Sequence, residues 1–389
     1  MTENFIEKRL ASMKTRPHAK VVAMVSEMEG VMNLGGGDPD FDTPIHIRDA
    51  AIKALNEGKT HYPPNQGLAD LRKAVAEYHA KDNVDWTASE ATITAGSGVS
   101  LFVSMAGTVN PGEEVVLLEP YFLDYSNIVE YVGAREAGVA LDEKRGYRLD
   151  AEALKEKETQ KTKMIVLCNP NNPSGTVFTE TELKEIADIA IDNDILILSD
   201  EVYREFVWDG RKHVSIASLP GMKERTIMCS SFSKTFAMTG WRLGYVLADE
   251  AITKRLQKIP IGYRTNTFTQ IAGVSAMKGP RDSVEKMIKE FDRRRSFMAP
   301  RLEEIEGIRC HEPEGAFYLF PNIEDIGVKS EPFCESLLKE TKLLVRPGTA
   351  FGKSGEYHMR IPLIKPINTL EEIAVKIEDH TEKLRLLGR

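Results

Sequence analysis

Apolar and polar positions change period several times along the chain. From about residue 90 to 250, short apolar runs alternate with helical patterns. The runs Ala91–Thr94, Glu114–Leu118, Lys163–Leu167, Asp194–Leu198, Thr226–Cys229 and Gly244–Leu247 are strand-sized and almost continuously apolar. Strands buried on both faces read this way, so a mainly parallel sheet covered by helices is expected. One intervening helix is well marked: Thr179 and Glu182 form a capping box, and Leu183, Ile186, Ala187 and Ala190 follow at helical spacing. After about residue 275 the pattern changes. A long charged helical stretch, "DSVEKMIKEFDRRRSFMAPRLEEI", leads to a strand candidate, Gly315–Phe320, and an amphipathic segment, Leu370–Leu387. The expected organisation is α/β: a large domain over 46–285 and a smaller α+β domain over 286–389, with 1–45 as an arm that joins the small domain or a partner subunit.

Composition narrows the class. A chain of 389 residues is long for one core. The net charge of −8 argues against a nucleic-acid binder, whose affinity needs a basic face. The N-terminus carries acids and lacks the apolar core of a secretory signal, and the best apolar run, Ile195–Leu198, is far too short to span a bilayer. Cys168, Cys229, Cys310 and Cys334 are too scattered for a zinc site or a disulfide framework. The expectation is a cytoplasmic, metal-free protein.

Candidate chemistry collects where strands end, the place at which open α/β sheets bind ligands. In "TAGSGVSLF", Gly96, Ser97 and Gly98 lie between a strand and a helix and could offer N–H groups and a hydroxyl to an anion; the plainer reading is a turn. In "CNPNNPSG", two prolines stiffen a loop that carries Asn172. "LILSDEVYREF" ends a strand at Asp200, a carboxylate that burial would disfavour without a cationic partner, with Tyr203 close behind; a helix-capping Asp is the plainer reading. "CSSFSKTFAMTGWRLGYVLAD" sets Lys234 among small and apolar residues, with Ser231 and Ser233 before it and Arg242 after it. Such surroundings lower a lysine's pKa and free its amine for Schiff-base chemistry.

This set resembles the fold-type I pyridoxal-phosphate enzymes, specifically the class I/II aminotransferases of aspartate-aminotransferase type. The resemblance runs from "LGGGDPDFDTP" to "HMRIPL" through "HYPPNQGLADLR", "PGEEVVLLEPYF", "NPNNPSG", "SDEVY", "SSFSKTFAMTGWRLGY", "EGAFY" and "RPGTAFG". It implies a large domain with a mainly parallel seven-stranded-type sheet, pyridoxal 5′-phosphate as cofactor, and a homodimer with shared sites. By family pattern, Lys234 condenses with the cofactor's aldehyde, and Asp200 pairs with its ring nitrogen. Tyr203 and Asn172 hydrogen-bond the phenolic oxygen, and Phe122 stacks on the ring. Ser97, Gly98, Ser231 and Arg242 hold the phosphate, with Tyr62 reaching in from the neighbouring subunit. Arg360 grips the substrate α-carboxylate, assisted by Asn172 and the backbone of Gly37. The implied reaction moves an amino group between an L-amino acid and a 2-oxo acid, with Lys234 as base and then acid.

The chain departs from the pattern over substrate choice. Where aspartate-specific relatives carry a lysine for the distal carboxylate, this chain has Gly98; near the arginine used by another branch it has Pro260. Arg264 and Arg16 are candidates for that task, or else solvated surface arginines. Aspartate-type transamination is the primary expectation. The alternatives are an aromatic- or alanine-type aminotransferase, or a β-lyase or synthase of the same fold.

Overall fold

The computed structural model describes residues 6–13, 21, 24–25, 28–259 and 265–387. Strand β1 (Met32–Asn33) stands apart from the next seven in chain order. These are β2 (Ala91–Thr94), β3 (Glu114–Glu119), β4 (Arg135–Ala140), β5 (Thr162–Cys168), β6 (Leu196–Asp200), β7 (Thr226–Ser231) and β8 (Gly244–Leu247). They form one seven-stranded sheet in the order β2-β8-β7-β6-β5-β3-β4. β8 runs antiparallel to both neighbours and the other pairings are parallel. Side chains of β5 show why the sequence reads as a continuous apolar run. Met164, Val166 and Cys168 enter one core cluster while Ile165 and Leu167 enter another, so both faces are covered.

Three expectations need adjustment. β4 was not anticipated: "REAGVA" is an edge strand with only Val139 buried, so its sequence carries little apolar signal. The strand expected to begin at Asp194 begins at Leu196, because Asp194 turns the chain at φ +52°. The Gly315–Phe320 run is strand only at Tyr318–Leu319, since Ala316 takes φ +56°. The capping box forms as expected, with Thr179 and Glu182 closing the start of the helix Glu180–Asp192.

The C-terminal part contributes β9 (Tyr318–Leu319), β10 (Leu343–Leu344), β11 (Arg346–Pro347) and β12 (Met359–Pro362). β1 pairs in parallel with β10, and β11-β12-β9 form a small antiparallel sheet. The helix Asp282–Glu303 ties the parts together. Its Phe291 stacks on Phe317 at 4.6 Å, Arg294 pairs with Asp40 at 2.6 Å, and Arg295 pairs with Asp209 at 2.8 Å.

Candidate active site

A cavity of about 530 Å³ lies at the carboxyl edge of the large sheet, closed on one side by β9, β11 and β12. Its floor is Asp200, the last residue of the central strand, in register with Cys168 and Cys229 on either side. The carboxylate is buried. Tyr125 donates its hydroxyl to Oδ2 at 2.6 Å, and the Val202 N–H donates to Oδ1 at 3.3 Å. Burial dominates and raises the carboxyl to about 6, against these hydrogen bonds and the pull of Lys234.

β7 runs into the short helix Phe232–Thr235, which aims Lys234 into the cavity, where Nζ donates to the carbonyl of Gly37. Burial draws this amine down to about 8; Asp38 opposes the shift, and Arg360 and Arg242 add to it. Beside it the helix Ser97–Thr108 presents its first turn, entered through Gly96 at φ +88°. Arg242 lies over that turn so closely that a Cβ on Gly96 would stand 2.5 Å from Nη2. Ser97, Gly98 and Arg242 together make an anion cradle of helix N–H groups and guanidinium.

Arg360 of β12 also lines the cavity, buried between Tyr318 at 4.6 Å and Phe351 at 4.9 Å. Nη1 donates to Asn172 Oδ1 at 3.2 Å and Nη2 to the Gly35 carbonyl at 2.9 Å, while Nε has no partner among the described residues. Asn172 in turn donates to the Tyr203 hydroxyl at 3.3 Å, and Tyr203 and Tyr318 share a hydrogen bond of 2.8 Å. Phe122 completes the lining, packed edge-on to Tyr125.

Residues 29–377 match the family described as aminotransferase class I and II. The chain belongs to that family. It is 40% identical to "Aromatic-amino-acid aminotransferase 2" of Thermococcus litoralis, over 97% of this chain and 99% of that one. It is 42% identical to an aspartate aminotransferase of Pyrococcus abyssi, covering 92% and 94% of the two chains. Among solved structures, the aromatic aminotransferase of Pyrococcus horikoshii OT3 superposes with a TM-score of 0.89 at 40% identity, over 94% of this chain and all of that one. This aminotransferase is therefore a pyridoxal-phosphate-dependent transaminase that moves an amino group between an L-amino acid and a 2-oxo acid.

The cavity fits that cofactor. Among the described residues Asp200 is a buried carboxylate hydrogen-bonded only to neutral donors, a setting that a protonated ring nitrogen would balance. The anion cradle lines the same cavity and suits a phosphate, with Lys234 available to an aldehyde.

Gly37, Ser97, Gly98, Phe122, Asn172, Asp200, Tyr203, Lys234, Arg242 and Arg360 all line this one cavity. Two expected residues do not. Ser231 is buried at the end of β7, its hydroxyl accepting the Ser233 N–H at 3.3 Å, and Ser233 lines the cavity in its stead. Tyr62 is 91% exposed and is not among the lining residues of its own chain's cavity. Arg16 and Arg264 fall outside the described residues. Sequence reasoning gave no role to Tyr125, Tyr318 and Arg346. Tyr318 and Arg346 sit inside the quoted motifs "EGAFY" and "RPGTAFG", and Tyr125 follows Phe122 at helical spacing.

Proposed function

We propose that this aminotransferase acts on dicarboxylic donors of aspartate type, as a cytoplasmic homodimer. In this reading residues 46–285 form the cofactor-binding domain, and 286–389 with the arm 1–45 form the smaller one. The observation that carries the site assignment is the convergence of Asp200, Lys234 and Arg360 on one cavity. Arg360 is a buried cation without a carboxylate partner among the described residues, which suits a substrate α-carboxylate gripped through two nitrogens. Four buried free cysteines suit a reducing compartment, and Tyr62, exposed as it is, suits a contact with a second copy.

Bound here, pyridoxal phosphate supplies an electron sink for the charge left on the substrate α-carbon. Asp200 would hold the proton on the ring nitrogen. Tyr203 and Asn172 would hold the phenolic oxygen, Phe122 would pack against the ring, and Ser97, Gly98 and Arg242 would anchor the phosphate. Lys234, its pKa lowered to about 8, keeps a far larger uncharged fraction near neutral pH than an ordinary lysine does. It would take the α-proton as a base and, as an acid, deliver a proton to the carbon that carried the cofactor's aldehyde. Arg360, Asn172 and the Gly37 backbone fix the α-carboxylate so that the α-proton faces Lys234.

Aromatic donors are the second reading, favoured by the lining of Phe122, Leu123 and Tyr318. A donor panel separates the two. Amino acid alone should discharge the cofactor's absorbance and 2-oxo acid should restore it, with aspartate or glutamate fastest. A phenylalanine rate far above both would replace the first reading with the second.

A further inference from the structure

Among the described residues the cavity wall carries four cationic side chains: Lys234, Arg242, Arg346 and Arg360. The reaction proposed above uses Lys234 for the aldehyde, Arg242 for the phosphate and Arg360 for the α-carboxylate. Arg346 has no anion assigned to it. It stands on β11 directly opposite Arg360 in the antiparallel register, so the two side chains share one face of the strand pair. Like charges in that position repel, and with Arg360 buried and Arg346 half-buried the repulsion is less screened than on an open surface. Both guanidiniums converge on a single oxygen, the Gly35 carbonyl, which accepts from Arg360 Nη2 at 2.9 Å and from Arg346 Nε. Neither Nη group of Arg346 meets an acceptor among the described residues, and no carboxylate there stands within ion-pair distance of it. Asp124 faces the same cavity and acts on Arg346 through space, without an ion pair or hydrogen bond to it.

We propose that Arg346 is a specificity residue that binds the second carboxylate of a dicarboxylic amino acid or oxo acid while Arg360 holds the first. Acid recognition would then come from within the chain, through an arginine next to the α-carboxylate site. The repulsion between the two arginines is relieved only when two carboxylates, or one molecule carrying both, enter the cavity. The sequence leaves room for such a device, since Gly98 supplies no cation where a lysine serves aspartate-specific relatives. The burial of Arg346, together with Arg360 beside it, pulls its pKa down to about 10, still well above neutral, so the group is charged in the working range.

The inference rests on the proposed transaminase site, with Arg360 as the α-carboxylate anchor, and the test keeps the two apart. Holoenzyme carrying Arg346→Gln is compared with wild type for kcat/KM with aspartate, glutamate, alanine and phenylalanine. Binding of unreactive maleate and of propionate is measured alongside by calorimetry. Aspartate, glutamate and maleate should each weaken by about 10- to 100-fold, as loss of one partner of a partly buried charge pair implies. Alanine, phenylalanine and propionate should stay within about threefold by the same argument, and Arg346→Lys should recover part of the acid preference. If all donors and both inhibitors weaken alike, Arg346 merely braces the Gly35 loop and the proposal is wrong; no change in any of them overturns it equally. Failure of the underlying site assignment looks different: Arg360→Lys would then leave propionate binding intact, whatever Arg346 does.

Discussion

Burial shifts the titration of both Asp200 and Lys234 towards neutral pH, so each exchanges a proton more readily than an exposed carboxylate or amine would. Replacing Lys234 with Ala should remove borohydride-trappable attachment of the cofactor and lower turnover by about 10⁴-fold or more, since both covalent and proton-transfer roles are lost. Peptide mapping after reduction checks it, and label on another lysine would refute the assignment. For Asp200 the pH behaviour has a definite sign. Its carboxyl titrates at about 6 in the fold against an ordinary 3.8. Between those values the folded protein binds a proton that the unfolded chain does not, so stability rises as pH falls through that window. Asp200→Asn should therefore stabilise the cofactor-free protein at pH 7 by on the order of 1–3 kcal/mol, with the gain fading towards pH 4. The same variant should lose most turnover, because the ring nitrogen loses its counter-charge. Thermal melts at several pH values, with and without cofactor, test both halves.

At the scale of elements, the anion cradle depends on how closely β8 approaches the helix Ser97–Thr108. A Cβ on Gly244 would meet the Gly96 carbonyl carbon at 2.6 Å and the Ser97 nitrogen at 2.8 Å, both backbone atoms that cannot swing aside. Gly244→Ala should cost about 1–3 kcal/mol in stability through overpacking. It should also weaken cofactor affinity, because the helix terminus is displaced; melting and cofactor titration measure the two effects. Unchanged cofactor affinity would separate this contact from the phosphate site. The elements most legible in the sequence were those with a local cause: the strands buried on both faces and the helix behind the Thr179–Glu182 box. β4 was missed because an exposed edge strand has no need of apolar residues, and the start of β6 was misplaced because a left-handed turn at Asp194 has no hydrophobic signature.

For the whole molecule, the proposed dimer makes a prediction about mixed species. Lys234→Ala chains are inactive and Tyr62→Phe chains should be impaired. If Tyr62 serves the neighbouring site, a hybrid of the two contains one site with an intact Lys234 and a wild-type Tyr62 from the partner. Mixing and re-equilibrating the variants should therefore raise activity above the sum of the two alone. A simple sum, or full wild-type activity in a monomer at low concentration, would rule out shared sites.

The sequence by itself determined the α/β class, the strand ends at which chemistry collects, and most of the residues of the site. The class and the strand ends follow from local causes: burial on both faces of a strand, glycines where a helix starts, and a lysine among apolar neighbours; Gly37, Phe122 and Arg360 are implied by the family resemblance alone. Tertiary structure decided which of those residues meet. The antiparallel course of β8 brings Arg242, which precedes it, to the edge where the parallel strands end. Folding placed Tyr125 against Asp200 and put Arg346 beside Arg360, a register that no local pattern encodes. It also turned Ser231 inward and Ser233 towards the cavity, because the first hydroxyl is committed to capping the turn that carries Lys234. Pairings across long stretches of chain depend on the packing of whole elements, and single side chains follow from them.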